Sequence, residues 1–144
     1  SASAADTFLP LGTWQGGGKA VDATGVEQYT FSESMTIAQL AADKLKMDLT
    51  VSSGGESRSY ALLLTFQPNG SFVATQEDGS LYASGSCDLS VCNYGMVPFK
   101  KQDDQLVINT GSFQTLPNGD LNRLMFVVTP EYRLFQITEL KKVK

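Results

Sequence analysis

Between Gln28 and Val51 the chain alternates apolar and polar residues with a period of two. Tyr29, Phe31, Met35 and Ile37 share one face of the first stretch. Gln28, Thr30, Ser32, Ser34 and Thr36 share the other. Leu45, Met47, Leu49 and Val51 repeat the pattern in the second. A helix would scatter these positions around its axis, whereas a strand gathers them onto one side. Such alternation marks antiparallel sheet with one dry face and one wet face. The turns agree. Pro68-Asn69-Gly70-Ser71 separates Leu62–Phe66 from Phe72–Thr75, and Pro117-Asn118-Gly119-Asp120 precedes Leu124–Thr129. Asn-Gly between apolar runs is a strong hairpin signal, because type I′ turns need two positive φ angles. Asp78-Gly79 punctuates a third turn. With Thr13–Ala20, Gln105–Asn109 and Tyr132–Leu140, roughly nine or ten strands are expected, a density that implies a sandwich or a barrel. Residues 37–44 fit either one or two helical turns or a hairpin tipped by Ala41-Ala42-Asp43. The hairpin is favoured over the helix.

Composition removes several function classes. The 144 residues suit one domain. The net charge of −4 argues against a generally basic nucleic-acid binder, which needs clustered cations. There is no histidine, so the chain by itself offers no Ser-His-Asp or Cys-His catalysis, no His-based zinc site and no His-ligated haem. Gly16-Gly17-Gly18 lacks the Lys-Ser/Thr of a phosphate-binding loop, and no calcium-loop pattern occurs. No spacing supports a catalytic carboxylate pair. The expectation is a non-enzyme without cofactor or metal. No apolar run of about 18 residues is present, so no membrane-spanning helix is expected. No signal peptide is visible. The small residues Ser1-Ala2-Ser3-Ala4-Ala5 suit either the end left by signal cleavage or a flexible tail. Residues 1–10 are read as a flexible N-terminal segment and residues 11–144 as a single barrel domain. Cys87 and Cys92, four residues apart among small and turn-forming residues, are expected to form a disulfide. That bond would place the protein in an oxidising compartment, periplasmic or secreted.

The order of features resembles the calycin superfamily, its bacterial lipocalin-like and nitrobindin-like barrels. Phe8-Leu9-Pro10 leads into Leu11-Gly12-Thr13-Trp14-Gln15-Gly16-Gly17-Gly18. Phe31-Ser32-Glu33, the hairpin Thr65–Phe72 and the final strand Arg133–Leu140 follow. The resemblance implies an all-β, antiparallel up-and-down barrel of about 8–10 strands. It gives Gly12 and Trp14 a structural role where the barrel closes. Lipocalins set a cation from near the chain's end against that tryptophan; Arg133 is the nearest candidate by position and Arg123 the other. The haem-binding branch holds iron through a histidine, which this chain lacks.

Within that frame Glu33 is the leading candidate for function. Strict alternation places its carboxylate on the apolar face, where an unpaired charge costs several kcal/mol. It therefore needs a partner such as Arg123, Arg133 or Tyr60, or a ligand's polar group. Phe31, Met35, Met47, Tyr29, Phe66 and Phe126 are the candidate pocket walls, with ordinary core packing as the competing reading. The leading functional expectation is non-catalytic binding of a small hydrophobic or amphipathic molecule inside the barrel. The alternative is a protein-binding barrel, such as a periplasmic or secreted inhibitor of a lysozyme or protease, presenting residues 1–10 and the turns at 52–59 and 87–93 to a target enzyme.

Overall fold

A computed structural model describes residues 5–100 and 103–144. The described residues form eleven strands: β1 (Gly12–Asp22), β2 (Glu27–Ala41), β3 (Lys44–Ser53), β4 (Glu56–Phe66), β5 (Ser71–Thr75), β6 (Leu81–Asp88), β7 (Val91–Met96), β8 (Phe99–Lys100), β9 (Leu106–Thr115), β10 (Leu121–Val128) and β11 (Arg133–Lys142). Ten of them close an antiparallel up-and-down barrel in the order β1-β2-β3-β4-β5-β6-β7-β9-β10-β11, with β11 returning to β1. The two-residue β8 pairs with Leu106 and Val107 of β9, beyond the segment of β9 that β7 uses. Closure leaves no free sheet edge among the ten strands. Among the described residues no helix is long and apolar enough to cross a membrane.

Residues 37–44 are a hairpin. Ile37 pairs with Met47 and Ala41 with Lys44, leaving Ala42-Asp43 as the turn. Period-2 burial over Glu33, Met35 and Ile37, facing Leu45 and Met47, outweighs the helix propensity of the alanines.

One end of the barrel is packed solid. Trp14, Met35, Ile37, Leu45, Leu64, Phe66, Phe72, Leu121 and Leu140 form its core. The N-terminal segment caps it. Ala5–Thr7 form a 3₁₀ turn whose Ala5 N–H donates to the Ala42 carbonyl at 2.6 Å. Phe8 stacks on Phe66 with ring centroids 5.3 Å apart, and Leu9 is buried. Residues 5–10 plug this end, because Phe8 and Leu9 remove apolar surface from water. Residues 1–4 lie outside the described residues.

Trp14 is fully buried, and its indole N–H donates to the Gly119 carbonyl at 2.9 Å. Its cation is Lys142, with Nζ 5.8 Å from the ring centroid. Arg133 does not fill the structural role expected of it. It starts β11 as an exposed residue paired with Val128. The register that pairs Trp14 with Lys142 leaves Arg133 about 30 Å away along the strand. Gly12 has a φ of +146°, and a Cβ there would run into the Lys144 carbonyl.

The expected disulfide is formed. Cys87 and Cys92 are direct partners across the β6–β7 hairpin, with Cα atoms 4.0 Å apart, and both are buried at the closed end.

Candidate functional site

The other end of the barrel is open. A cavity of about 1310 Å³ runs inward from a mouth at the β1–β2, β3–β4, β5–β6, β7–β8 and β10–β11 connections. Apolar side chains from most strands make its walls, including Met47, Leu49, Leu62, Phe72, Met96 and Val127. At the mouth, Gln136 Nε2 donates to the Tyr29 hydroxyl at 2.9 Å, and Tyr29 and Phe31 lie with ring centroids 6.4 Å apart.

A buried ion pair dominates the deep part. Glu33 points inward from β2, as the alternation requires, and its side chain is 0% exposed. Its partner is Arg123 of β10, 8% exposed. The geometry is bidentate: Nη1 donates to Oε2 at 2.9 Å and Nη2 donates to Oε1. Arg123 Nη2 also reaches Thr138 Oγ1 at 3.3 Å, and the guanidinium lies 5.5 Å from the Phe113 ring centroid. Burial is the largest single influence on Arg123 and opposes its charge, but the Glu33 carboxylate together with Tyr94 and Tyr82 outweighs it and holds the guanidinium above its ordinary pKa.

Two strands separate the elements that carry the pair. β11 and β1 lie between β10 and β2, and their residues nearest the pair are Thr138, Gly16 and Gly18. Gly16 sits beside Glu33 and Gly18 beside Phe31. A Cβ on Gly16 would run into the Glu139 carbonyl. One on Gly18 would meet the Ile137 carbonyl and Phe31 Cζ. The missing side chains bring neighbouring backbones close.

Two tyrosines complete the deep wall. Tyr94 lies between Gly85 and Gly111, and its ring occupies the space a Gly111 side chain would need. It packs on Phe113 with centroids 5.7 Å apart. Tyr82 is set beside Tyr60, centroids 6.1 Å apart, at an irregularity where β6 carries one more residue than β5. Burial raises both phenols to about 12. For Tyr82 the neighbouring Tyr60 and Tyr94 add to this, and for Tyr94 the Glu33 carboxylate does; the Arg123 charge works against both shifts. Two polar atoms in the lining residues, Arg123 Nε and Asn109 Oδ1, have no hydrogen-bond partner among the described residues. Asn109 spends its Nδ2 on the Met96 sulfur at 3.6 Å.

Of the residues singled out from the sequence, Glu33, Tyr29, Phe31 and Met47 line the cavity. Met35 and Phe66 do not; both belong to the packed closed end, one layer too deep. Phe126 is corrected more fully. It faces away from the interior and packs on Phe135 at 4.8 Å, while Arg123, Met125 and Val127 take the inward positions of β10. Sequence reasoning missed Tyr82, Tyr94 and Asn109. The alternation Cys92-Tyr94-Met96 carried a readable signal for Tyr94, but the irregularity that places Tyr82 had none. Among the described residues no cluster of three or more His, Cys, Asp or Glu side chains is placed to hold a metal ion. No known family model matches the chain, and no curated protein matches it.

Proposed function

We propose that the protein binds a small apolar or amphipathic molecule inside the barrel and performs no chemistry on it. The observation that carries this reading is the open cavity of about 1310 Å³, walled by apolar side chains and ending on hydrogen-bonding groups. Apolar walls supply most of the affinity in such sites, and a few fixed polar groups supply orientation. A ten-strand barrel is wider than an eight-strand one, which gives room for a ligand above the packed end. A barrel filled by side chains would instead have supported the reading as an inhibitor of a target enzyme. Calycin-type kinship agrees with the closed up-and-down barrel, the N-terminal plug and the buried tryptophan under a cation. The formed disulfide supports a place in the periplasm or outside the cell.

Titration with the uncharged fluorophore N-phenyl-1-naphthylamine tests the reading. Saturable fluorescence enhancement is expected, and it should be lost in Ala83→Phe, where a ring replaces a small cavity-lining residue. Enhancement that survives in a folded Ala83→Phe protein would place the probe elsewhere and defeat the proposal.

A further inference from the structure

We propose that the interior selects an uncharged ligand over a carboxylate or an ammonium of the same length. This rests on the interior being the binding site and deepens that reading.

The deep wall carries a cation, Arg123, which by itself would recruit an acid headgroup. Its charge is already answered. Glu33 occupies both terminal nitrogens in a bidentate pair, and Thr138 takes a further contact from Nη2. An incoming carboxylate would have to displace Glu33, leaving that fully buried anion without its partner, or lose its own hydration beside a pair that is neutral overall. An ammonium meets the converse problem, because both Glu33 oxygens are engaged. Among the described residues the whole cavity wall balances. Glu33, Glu56 and Asp103 stand against Arg58, Lys100 and Arg123. Every member except the central pair lies towards the mouth, where water and salt screen it.

What the interior does offer is neutral hydrogen bonding. Tyr82 and Tyr94 keep their protons throughout the physiological range. Arg123 Nε and Asn109 Oδ1 are already removed from water and lack partners, so a ligand group reached by a small side-chain shift adds a bond without new desolvation. Asn109 pairs with Val127 and Arg123 with Phe113, so the two lie four residues apart in register, about 13 Å along the strands. This spacing suits an elongated molecule whose polar groups are amide, hydroxyl or carbonyl.

The test is displacement of N-phenyl-1-naphthylamine at pH 7.5 by decanamide, decanoate and decylammonium. Decanamide is expected to displace the probe at a concentration at least tenfold below either charged homologue. Decanoate or decylammonium competing as well as decanamide would overturn the proposal while leaving interior binding intact. Failure of the folded protein to bind the probe at all would overturn both readings. Glu33→Gln releases the guanidinium, and it should move the preference at least tenfold towards decanoate. A folded Glu33→Gln protein with the original ranking would refute the assignment of selectivity to the ion pair. Should that variant not fold, the wild-type ranking decides by itself.

Discussion

Breaking the Glu33–Arg123 pair from either side should be far more damaging than removing it whole. Glu33→Met leaves a guanidinium that is 8% exposed and retains one side-chain partner, Thr138. Arg123→Met leaves a carboxylate that is 0% exposed and, among the described residues, bridged to no other cation. Each single change strands a buried charge, which costs about 3–5 kcal/mol. With a urea dependence near 2 kcal/mol per molar for a chain of this size, the midpoint should fall by about 1.5–2.5 M. In the double Met variant no charge is stranded, and two flexible apolar side chains meet the Phe113 ring and the Tyr94 wall. Its stability should exceed that of either single variant and approach the wild type. Equilibrium urea unfolding measures this directly. Trp14, the sole tryptophan, sits in the packed end and reports global unfolding by fluorescence. Additive losses, with the double variant weaker than both singles, would refute the reasoning. So would single variants that each lose less than about 1 kcal/mol, since the pair would then behave as a solvated one.

Alkaline stability follows from the phenols. Unfolded tyrosine ionises near 10, whereas folded Tyr82 and Tyr94 hold their protons to about 12, so the folded state binds more protons in between. Stability should be level below pH 10 and fall by about 2–3 kcal/mol per tyrosine between pH 10 and 12; urea midpoints at pH 9 and 11 should converge in a Tyr82→Phe/Tyr94→Phe variant. Gly18→Ala should cost about 1–3 kcal/mol, because its Cβ meets the Ile137 carbonyl and Phe31, while Gly95→Ala, facing open space, should stay within about 0.5 kcal/mol of wild type by thermal denaturation. Reducing the Cys87–Cys92 bond should lower stability by about 2 kcal/mol, read from urea midpoints with and without dithiothreitol.

Much of the barrel was readable because its strands alternate cleanly wherever one face is wet. β2 and β3 gave their inward residues directly, Glu33 included, since a carboxylate in phase with Phe31 and Met35 has nowhere else to point. The hairpins at Asn69-Gly70 and Asn118-Gly119 lie where the sequence marks them, but they are not type I′ turns: in each pair the glycine alone takes a positive φ, +90°, and the Gly70 and Gly119 N–H groups donate to the Gln67 and Leu116 carbonyls. The closed end was harder. Whether a lone Phe8 and Leu9 pack or trail in solvent depends on the groove they meet, and that groove is built from β2, β3 and β4.

Parity failed where both faces of a strand are apolar. Leu124-Met125-Phe126-Val127-Val128 offers no polar residue to mark the wet side. The size of its ring favours Phe126 inside, whereas the Glu33 carboxylate needs a cation such as Arg123 on that face. Residues three apart on a strand face opposite ways, so the two assignments exclude each other. The demand of a buried carboxylate for a cation is the stronger constraint, and it turns Arg123 inward and Phe126 out to Phe135. Depth is a separate coordinate that alternation does not encode. Met35 and Glu33 share a face, but one is packed in the closed end and the other borders the cavity. What separates them is cross-strand register: Met35 pairs with Trp14, and Glu33 with Gly16. The step from an indole to a bare glycine along β1 is where the solid base gives way to space. The Trp14-to-Gly18 segment therefore sets the level of the cavity floor as well as closing the barrel.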